Sequence, residues 1–302
     1  CFVVGRSLAG DMSGRPMAVM GNKKVSGMKK ITLVYFSPTK TTEAVLSAIT
    51  RGLARSLDIN ASQITAVNIT GQKIRSTGLA PFNDNEIVLL GAPVYAGRLP
   101  ADAATFFKKL TASDTPAILT VVYGNREYED ALLELKDIAS ASGFIPVSGA
   151  AFIGEHSFAS KEIPVAMSRP DENDLKQAQD LGDSTGDLLK NTHNLKELAP
   201  LKVPGNYPYK EGMGKGAPDF IGVTDACTNC GTCAAACPSN AIDAENGYAT
   251  IAADCILCCA CIKACPEQAR LMKDGPIKDK ARWLNQTCST PKPVQVFFAA
   301  EA

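Results

Sequence analysis

Eight cysteines near the C-terminus fall into two copies of one spacing. Each cysteine of the second copy lies 28 residues after its counterpart, and a proline follows each fourth cysteine. The copies are Cys227, Cys230, Cys233 and Cys237, then Cys255, Cys258, Cys261 and Cys265. Thiolates suit iron–sulfur clusters, and three of them at i, i+3 and i+6 let one short loop reach three irons of a cubane. The repeat therefore predicts two cluster sites.

The doubled C-x2-C-x2-C-x3-C-P run resembles that of bacterial two-cluster ferredoxins over residues 218–272. In that motif the fourth cysteine ligates the other cluster. The resemblance thus implies one [4Fe–4S] cluster on Cys227, Cys230, Cys233 and Cys265, and a second on Cys255, Cys258, Cys261 and Cys237. Structural zinc favours two separated C-x2-C pairs, and a disulfide framework belongs with secretion, so both alternatives fit poorly. Cys1, Cys259 and Cys288 lie outside the pattern and are interpreted as packing residues.

Length and charge restrict the remaining possibilities. The 302 residues exceed one average domain and predict two. Lys plus Arg and Asp plus Glu both number 31, so the basic surface expected for nucleic-acid binding is missing. No apolar stretch approaches the length of a membrane span. Thiolate ligands need a reducing compartment, which predicts the cytoplasm.

Composition also divides the chain. Residues 1–27 are rich in Gly, Met, Ser and Lys and are predicted to be a disordered leader, with Met28 as the natural start. Prolines and glycines predict an irregular linker over residues 196–217. Residues 273–302 form a C-terminal tail, whose aromatic residues either dock back on the larger domain or belong to a weakly ordered end.

Between residues 28 and 195, short apolar runs alternate with amphipathic helical runs. Such alternation predicts a parallel sheet that helices cover on both faces. The expected strands are 31–36, 64–69, 87–90, 117–123 and 145–153, and the expected helices are 42–57, 101–110, 129–141 and 171–191. The fold class is therefore α/β, a doubly wound five-stranded parallel sheet followed by a small α+β domain that carries the cysteines.

The loop after the first strand is rich in hydroxyl groups and leads straight into a helix. Its sequence is Ser37-Pro38-Thr39-Lys40-Thr41-Thr42. In a doubly wound sheet this position binds phosphate, because the helix N-terminus supplies N–H donors and partial positive charge. A plain N-cap would explain one or two of these residues. Four hydroxyl residues in six favour a phosphate site.

This loop resembles the FMN-phosphate loop of flavodoxins, T/S-x-T-G-x-T. It matches at Ser37, Thr39 and Thr42 and departs at Lys40, where flavodoxins usually have glycine. For the sheet, the resemblance implies the flavodoxin-like strand order 2-1-3-4-5. The resemblance implies that two later loops sandwich the flat ring of FMN, with Tyr95 as a stacking residue and Asn125 as a hydrogen-bond partner of the ring edge. Taken alone, each tyrosine is equally well explained as a packed aromatic. The implied contacts are Pro93, Val94, Tyr95, Ala96, Gly97, Arg98, Tyr123, Gly124, Asn125 and Tyr128. His156, after the fifth strand, is interpreted as a structural hydrogen-bond partner rather than a catalytic residue.

Together the two parts resemble the flavodoxin–ferredoxin fusion proteins of anaerobic bacteria, which are iron–sulfur flavoproteins. The resemblance implies an electron carrier that passes low-potential electrons between two [4Fe–4S] clusters and FMN, with redox proteins as donor and acceptor. No residue is assigned a catalytic role. Two alternatives stay open. One is an FMN-dependent reductase of a small acceptor such as a quinone or nitro compound. The other is a ferredoxin whose larger domain binds no flavin and only docks a partner.

Overall fold

The computed structural model describes residues 30–300. The predicted leader and Cys1 lie outside the described residues. The strands are β1 (Lys30–Tyr35), β2 (Ile64–Asn68), β3 (Glu86–Pro93), β4 (Thr115–Tyr123), β5 (Phe144–Ile153), β6 (Ile221–Val223), β7 (Ile242–Asp243), β8 (Ala249–Thr250), β9 (Arg270–Met272) and β10 (Gln295–Phe298). The α-helices are α1 (Thr41–Leu57), α2 (Gln72–Thr77), α3 (Ala101–Phe107), α4 (Ala131–Ala141), α5 (Glu172–Asn191), α6 (Thr232–Ala235), α7 (Ala260–Lys263) and α8 (Pro276–Thr287).

The large sheet has the order β10-β5-β4-β3-β1-β2. Strands β1 to β5 are parallel, and their order 2-1-3-4-5 is that of the flavodoxin-like doubly wound fold. The predicted fold class is thereby confirmed. The sheet also has a sixth strand that the sequence did not predict, because β10 pairs antiparallel with β5. Of the two possibilities for the tail, docking on the larger domain is the one observed.

Helices cover both faces of this sheet. Along β1, Ile31, Leu33 and Tyr35 pack toward α1 and α5, while Val34 packs on the other face toward α3 and α4. Since both faces are buried, the central strands are continuous apolar runs rather than alternating ones. This is why the sequence reveals them.

Close packing of α1 against α5 depends on two glycines. A Cβ atom on Gly52 would lie 2.0 Å from the carbonyl oxygen of Gln179, and one on Gly182 would lie 2.0 Å from that of Ile49. Backbone cannot yield at such a distance, so a larger residue at either position would force the helices apart. The contact anchors α1, whose N-terminus carries the hydroxyl-rich loop.

The cysteine-rich part consists of two short antiparallel pairs, β6 with β9 and β7 with β8, together with α6 and α7. Phe220, Ile221 and several cysteines form its own small core. The loop around the second cysteine copy also joins the large domain, since Ile256, Cys258 and Ala260 belong to the core that faces α3 and α4.

The predicted linker is packed rather than free. Leu201 is buried in the core, and the carboxylate of Asp130 accepts hydrogen bonds from Asn206 N at 2.8 Å and Lys210 N at 2.7 Å. The hydroxyl of Tyr209 donates to Asp137 Oδ2 at 2.6 Å. These bonds fasten the segment to α4, close to the cleft described below.

Most element boundaries differ from the predicted ones by one to three residues. Helix α2 was not predicted, because Gln72–Thr77 is largely polar and contains no buried residue. Helix α8 was not predicted either, although Ala281 and Leu284 are buried against the segment around Val165. Within residues 30–300, no helix combines the length and apolarity needed to cross a membrane.

Candidate functional site

The two cysteine copies fold alike. Helices α6 and α7 each begin after a residue in the left-handed conformation, Gly231 with φ of 76° and Cys259 with φ of 54°. In each copy the fourth sulfur accepts a hydrogen bond from an amide four residues later, at 3.1 Å from Ala241 N to Cys237 Sγ and 3.3 Å from Ala269 N to Cys265 Sγ. Amide donors to sulfur are one means by which proteins set cluster potentials.

One set of four cysteines lines a common cavity. The set consists of Cys227, Cys230, Cys233 and Cys265. Three sulfurs come from the first copy and one from the second, which is the grouping that crossed ligation requires. Cys230 is exposed, so this cavity lies at the protein surface. The identity of the iron ligands stays a prediction.

The other set lies deeper. Cys255, Cys258 and Cys261 are buried, and Cys237 is partly buried. Burial is the main cause, and together with the charges of Cys261, Cys237 and Cys255 it raises the pKa of Cys258 to about 12. The four thiols are therefore neighbours, and they must lose protons when a cluster binds.

Both sets suit a cluster by their donor chemistry. Each combines three sulfurs from one loop with a fourth from the other copy, and the fourth sulfur receives an amide hydrogen bond. Among residues 30–300, no group of three or more His, Cys, Asp and Glu side chains is arranged around the position of one metal ion.

The hydroxyl-rich loop has, at Lys40, a backbone conformation that favours glycine. Lys40 has φ of 66°, so a lysine takes the left-handed conformation that favours glycine. Ser37 Oγ accepts a hydrogen bond from Glu43 N at 3.1 Å and so caps α1. Thr42 Oγ1 is fully buried and has no hydrogen-bond partner. An unpartnered buried hydroxyl is costly, and a phosphate oxygen would satisfy it.

A cleft opens at the carboxyl ends of the parallel strands. Its walls are Thr39, Thr41, Pro93, Val94, Tyr95, Val122, Tyr123, Gly124, Gly154, Glu155, His156 and Ser157. Ligands of doubly wound folds bind in this position. Gly124 is required here, since a Cβ atom on it would lie 2.2 Å from Cδ2 of His156.

Tyr95 stands between this cleft and the second set of cysteines. It lines the cleft on one side and, with Ile256 and Met213, a smaller pocket on the other. Burial raises the pKa of Tyr95 well above its usual value, and the charges of Cys258, Cys259 and Cys255 raise it further. A tight turn holds the residue, because Tyr95 N donates to Arg98 O at 2.9 Å and Arg98 N donates to Tyr95 O at 3.1 Å.

Several predicted flavin contacts lie beside the cleft rather than in its walls. The guanidinium of Arg98 turns to Glu134, with Nη2 to Oε1 at 2.8 Å. The hydroxyl of Tyr128 donates to Gln295 on β10 at 2.5 Å. Pro38, Lys40, Ala96 and Gly97 belong to the loops at the cleft but not to its walls. Ser37 and Thr42 belong to the hydroxyl-rich loop, and both are buried.

The side chain of Asn125 binds the C-terminal segment. Its Nδ2 donates to the carbonyl oxygens of Cys288 at 2.7 Å and Thr290 at 3.0 Å, and its Oδ1 accepts from Lys292 N at 3.0 Å. The predicted hydrogen bond from this side chain to a flavin stays a prediction. The sequence could not show the internal hydrogen bonds, since the partners lie more than 160 residues away.

Comparison with known proteins identifies the smaller domain. Residues 221–243, which include the whole first cysteine copy, match the 4Fe-4S binding domain family. The chain joins a flavodoxin-like fold to a 4Fe-4S binding domain. The second copy of the cysteine motif lies beyond the matched residues, and no curated protein sequence matches the chain.

Solved flavodoxins resemble part of the chain. An archaeal flavodoxin is 13% identical, with a TM-score of 0.35, and the match covers 54% of this chain and 99% of that one. Flavodoxin 1 from Bacillus cereus is 14% identical, with a TM-score of 0.36, over 52% of this chain and 97% of that one. The flavodiiron protein from Giardia intestinalis is 20% identical, with a TM-score of 0.35, over 55% of this chain and 37% of that one.

The 4Fe-4S binding domain is tied to the large domain at two places. Arg75, after β2, donates from Nη2 to Pro238 O at 2.5 Å. Lys263 on α7 donates from Nζ to Glu155 Oε1, a residue of the cleft. These contacts fix the second cysteine set against the cleft. Sequence reasoning missed both, because neither partner follows from a motif.

His156 is the cleft residue whose pKa is lowered. Burial is the main cause, and together with the charges of Lys263 and Arg126 it lowers the pKa of His156 to about 4. Its Nδ1 accepts a hydrogen bond from Phe158 N at 3.1 Å. The imidazole is thus neutral near pH 7 and serves as an acceptor for the backbone, in line with the structural role expected of it.

Proposed function

We propose that this protein passes electrons between two [4Fe–4S] clusters and FMN. The observation that carries the proposal is the position of Tyr95, which borders the cleft and is packed against the loop of Cys255 and Cys258. A flavin in the cleft and a cluster on that loop would be separated by little more than one side chain. Electron transfer over such a separation needs no domain movement.

Each cofactor has residues that suit it. The set that includes the exposed Cys230 (the exposed set) would hold one cluster. The set that includes the buried Cys255, Cys258 and Cys261 (the buried set) would hold the other. Thr39, Thr41 and the N-terminus of α1 would bind the phosphate of FMN, where Thr42 Oγ1 lacks a partner. Clusters exchange single electrons, whereas a flavin holds one or two and can join the two kinds of chemistry.

The different exposure of the two sets suggests an order. Cys230 is exposed and accessible to a partner protein, while Cys255, Cys258 and Cys261 are buried beside the cleft. The first set would therefore exchange electrons with a redox partner, and the second with the flavin. Thiolate ligands place the protein in a reducing compartment, for which we propose the cytoplasm.

Anaerobic purification with iron, sulfide and flavin counted per chain tests the proposal. We expect about eight irons and one FMN, from two Cys₄ cubanes. Eight irons without flavin would favour the docking-domain alternative. Protein that lacks iron would contradict the whole proposal.

A variant separates the flavin site from the clusters. Thr39→Ala with Ser37→Ala should lower the FMN content and leave iron unchanged, because these residues form the phosphate loop. Ser37 also caps α1, so the double change is expected to cost about 1 kcal/mol of stability. Thr70→Ala is the matched control, since Thr70 Oγ1 accepts from Ser37 N at 2.7 Å and does not line the cleft. Equal FMN retention in all variants would refute the phosphate-loop assignment.

A further inference from the structure

Arg270 is a buried cation that contacts one set of cysteines and lies on a strand packed against the helix of the other. Its side chain is on β9, and the residue is only 3% exposed. The guanidinium Nη1 lies 3.8 Å from Cys233 Sγ, which belongs to the exposed set. Strand β9, which carries Arg270, also lies against α7, the helix that contains Cys261 of the buried set.

The other partners of this guanidinium are neutral. Nη1 donates to Tyr248 O at 2.5 Å, and Nη2 donates to Thr250 Oγ1 at 2.6 Å. Nε is buried without a partner. Within the described part of the chain, no carboxylate forms an ion pair with Arg270. A buried charge without a counter-charge is strongly unfavourable, so its natural counter-charge is the cysteine sulfurs.

The internal repeat provides a comparison within the chain. The residue 28 positions before Arg270 is Ile242, which is 9% exposed and lies on β7. Since the two copies share their loop geometry, an apolar residue suffices to complete this fold. The arginine in the second copy is therefore an addition whose reason must be sought in its charge.

We propose that Arg270 is a redox-tuning residue that raises the reduction potentials of both clusters. The inference rests on the proposed function only in assuming that both cysteine sets carry clusters. Reduction adds one electron to a cluster and no proton. A fixed positive charge beside the sulfurs, in a site shielded from water, favours the more negative reduced form. Because the guanidinium contacts a sulfur of the exposed set and its strand packs against the helix of the buried set, the charge acts on both sites.

The test compares the reduction potentials of the wild type and three variants by spectroelectrochemistry, with iron counted per chain. Arg270→Met removes the charge, Arg270→Gln removes the charge but keeps N–H donors, and Arg270→Lys keeps the charge. Lys273→Met is the matched control. Lys273 lies three residues after Arg270, and its exposed side chain pairs with Asp219 at 2.6 Å. This change therefore removes one positive charge from the same segment.

We expect the Met and Gln variants to be at least tenfold harder to reduce at both clusters, which is about 59 mV for one electron. The Lys variant should stay near the wild type, and Lys273→Met should match it. Loss of iron from both neutral variants, with retention in the Lys variant, would also support a required charge. Unchanged potentials in an iron-replete neutral variant, or loss of iron from all three variants, would overturn the proposal. Wild-type protein with fewer than eight irons would instead refute the proposed function.

Discussion

Lys263 Nζ lies 2.5 Å from Glu155 Oε1, and this contact joins the second cysteine loop to the wall of the cleft. Lys263 is the last residue of α7 and lies between Cys261 and Cys265 in the sequence, and Glu155 follows β5. The same ammonium donates to Ala159 O at 2.7 Å. Both side chains are about three-quarters buried, so the pair is better shielded than a surface ion pair. We interpret it as an ion pair that holds the 4Fe-4S binding domain against the flavodoxin-like domain.

Breaking the Lys263–Glu155 ion pair should weaken the contact between the two domains. We expect Lys263→Met and Glu155→Gln to be non-additive, with a coupling energy of about 1 kcal/mol in a double-mutant cycle. Amide hydrogen exchange should quicken in the segments 155–159 and 260–265. Lys273→Met is the control, because its partner Asp219 lies in the same small domain. Additive effects of the two changes would show that the contact does not couple the domains.

Two variants of Lys40 separate the effect of its backbone conformation on stability from the effect of its charge. With φ of 66°, any residue other than glycine is strained there by about 1–2 kcal/mol. Lys40→Gly removes strain and charge, whereas Lys40→Ala removes only the charge. We expect the Gly variant to be more stable than the Ala variant by about 1 kcal/mol in urea unfolding. Equal stability would mean that the loop does not hold residue 40 in this conformation.

Local patterns predicted the scaffold but not the contacts across it. Buried parallel strands are continuous apolar runs, so β1, β3, β4 and β5 follow from the sequence. The edge strand β2 has no buried residue and follows from its alternation instead, while the strand order was implied by the resemblance to flavodoxins. Strand β10 does not follow from the sequence, because its four residues acquire a strand partner only when the chain returns to β5. The roles of Asn125 and Arg270 escaped prediction for the same reason. Each is defined by partners distant along the chain, although comparison of Arg270 with Ile242 across the repeat was a usable signal.

Asn125 should matter for stability rather than for flavin binding. Asn125→Gly removes three hydrogen bonds to the C-terminal segment while tolerating the φ of 63° at this position. We expect a loss of about 2–3 kcal/mol in the free energy of unfolding, because each net hydrogen bond contributes about 1 kcal/mol. The FMN content of the folded protein should not change. Loss of flavin at unchanged stability would show that the side chain binds the ring after all.

The lowered pKa of His156 predicts that the free energy of unfolding depends on pH. Its pKa is about 4 in the folded protein, against about 6.5 in the unfolded chain, so the unfolded state binds protons more readily between these values. Stability contributed by the neutral imidazole is complete above pH 6.5 and declines as the pH falls toward 4. Between pH 6.5 and 5.5 the wild type should lose about 1 kcal/mol more than His156→Gln in urea unfolding. Parallel pH profiles for the two proteins would contradict the lowered pKa.

Crossed ligation can be tested by counting iron in paired cysteine variants. Cys265 lies in the second copy of the motif but lines the cavity of the first, together with Cys230. Each single alanine variant should lose one cluster and keep about four irons. The double variant Cys230→Ala with Cys265→Ala should keep the same four, because both changes remove ligands of one cluster. Cys258→Ala with Cys265→Ala should lose nearly all iron, because these residues belong to different sets. If the two double variants exchange these results, each copy of the motif binds its own cluster and the grouping seen in the cavity does not reflect ligation.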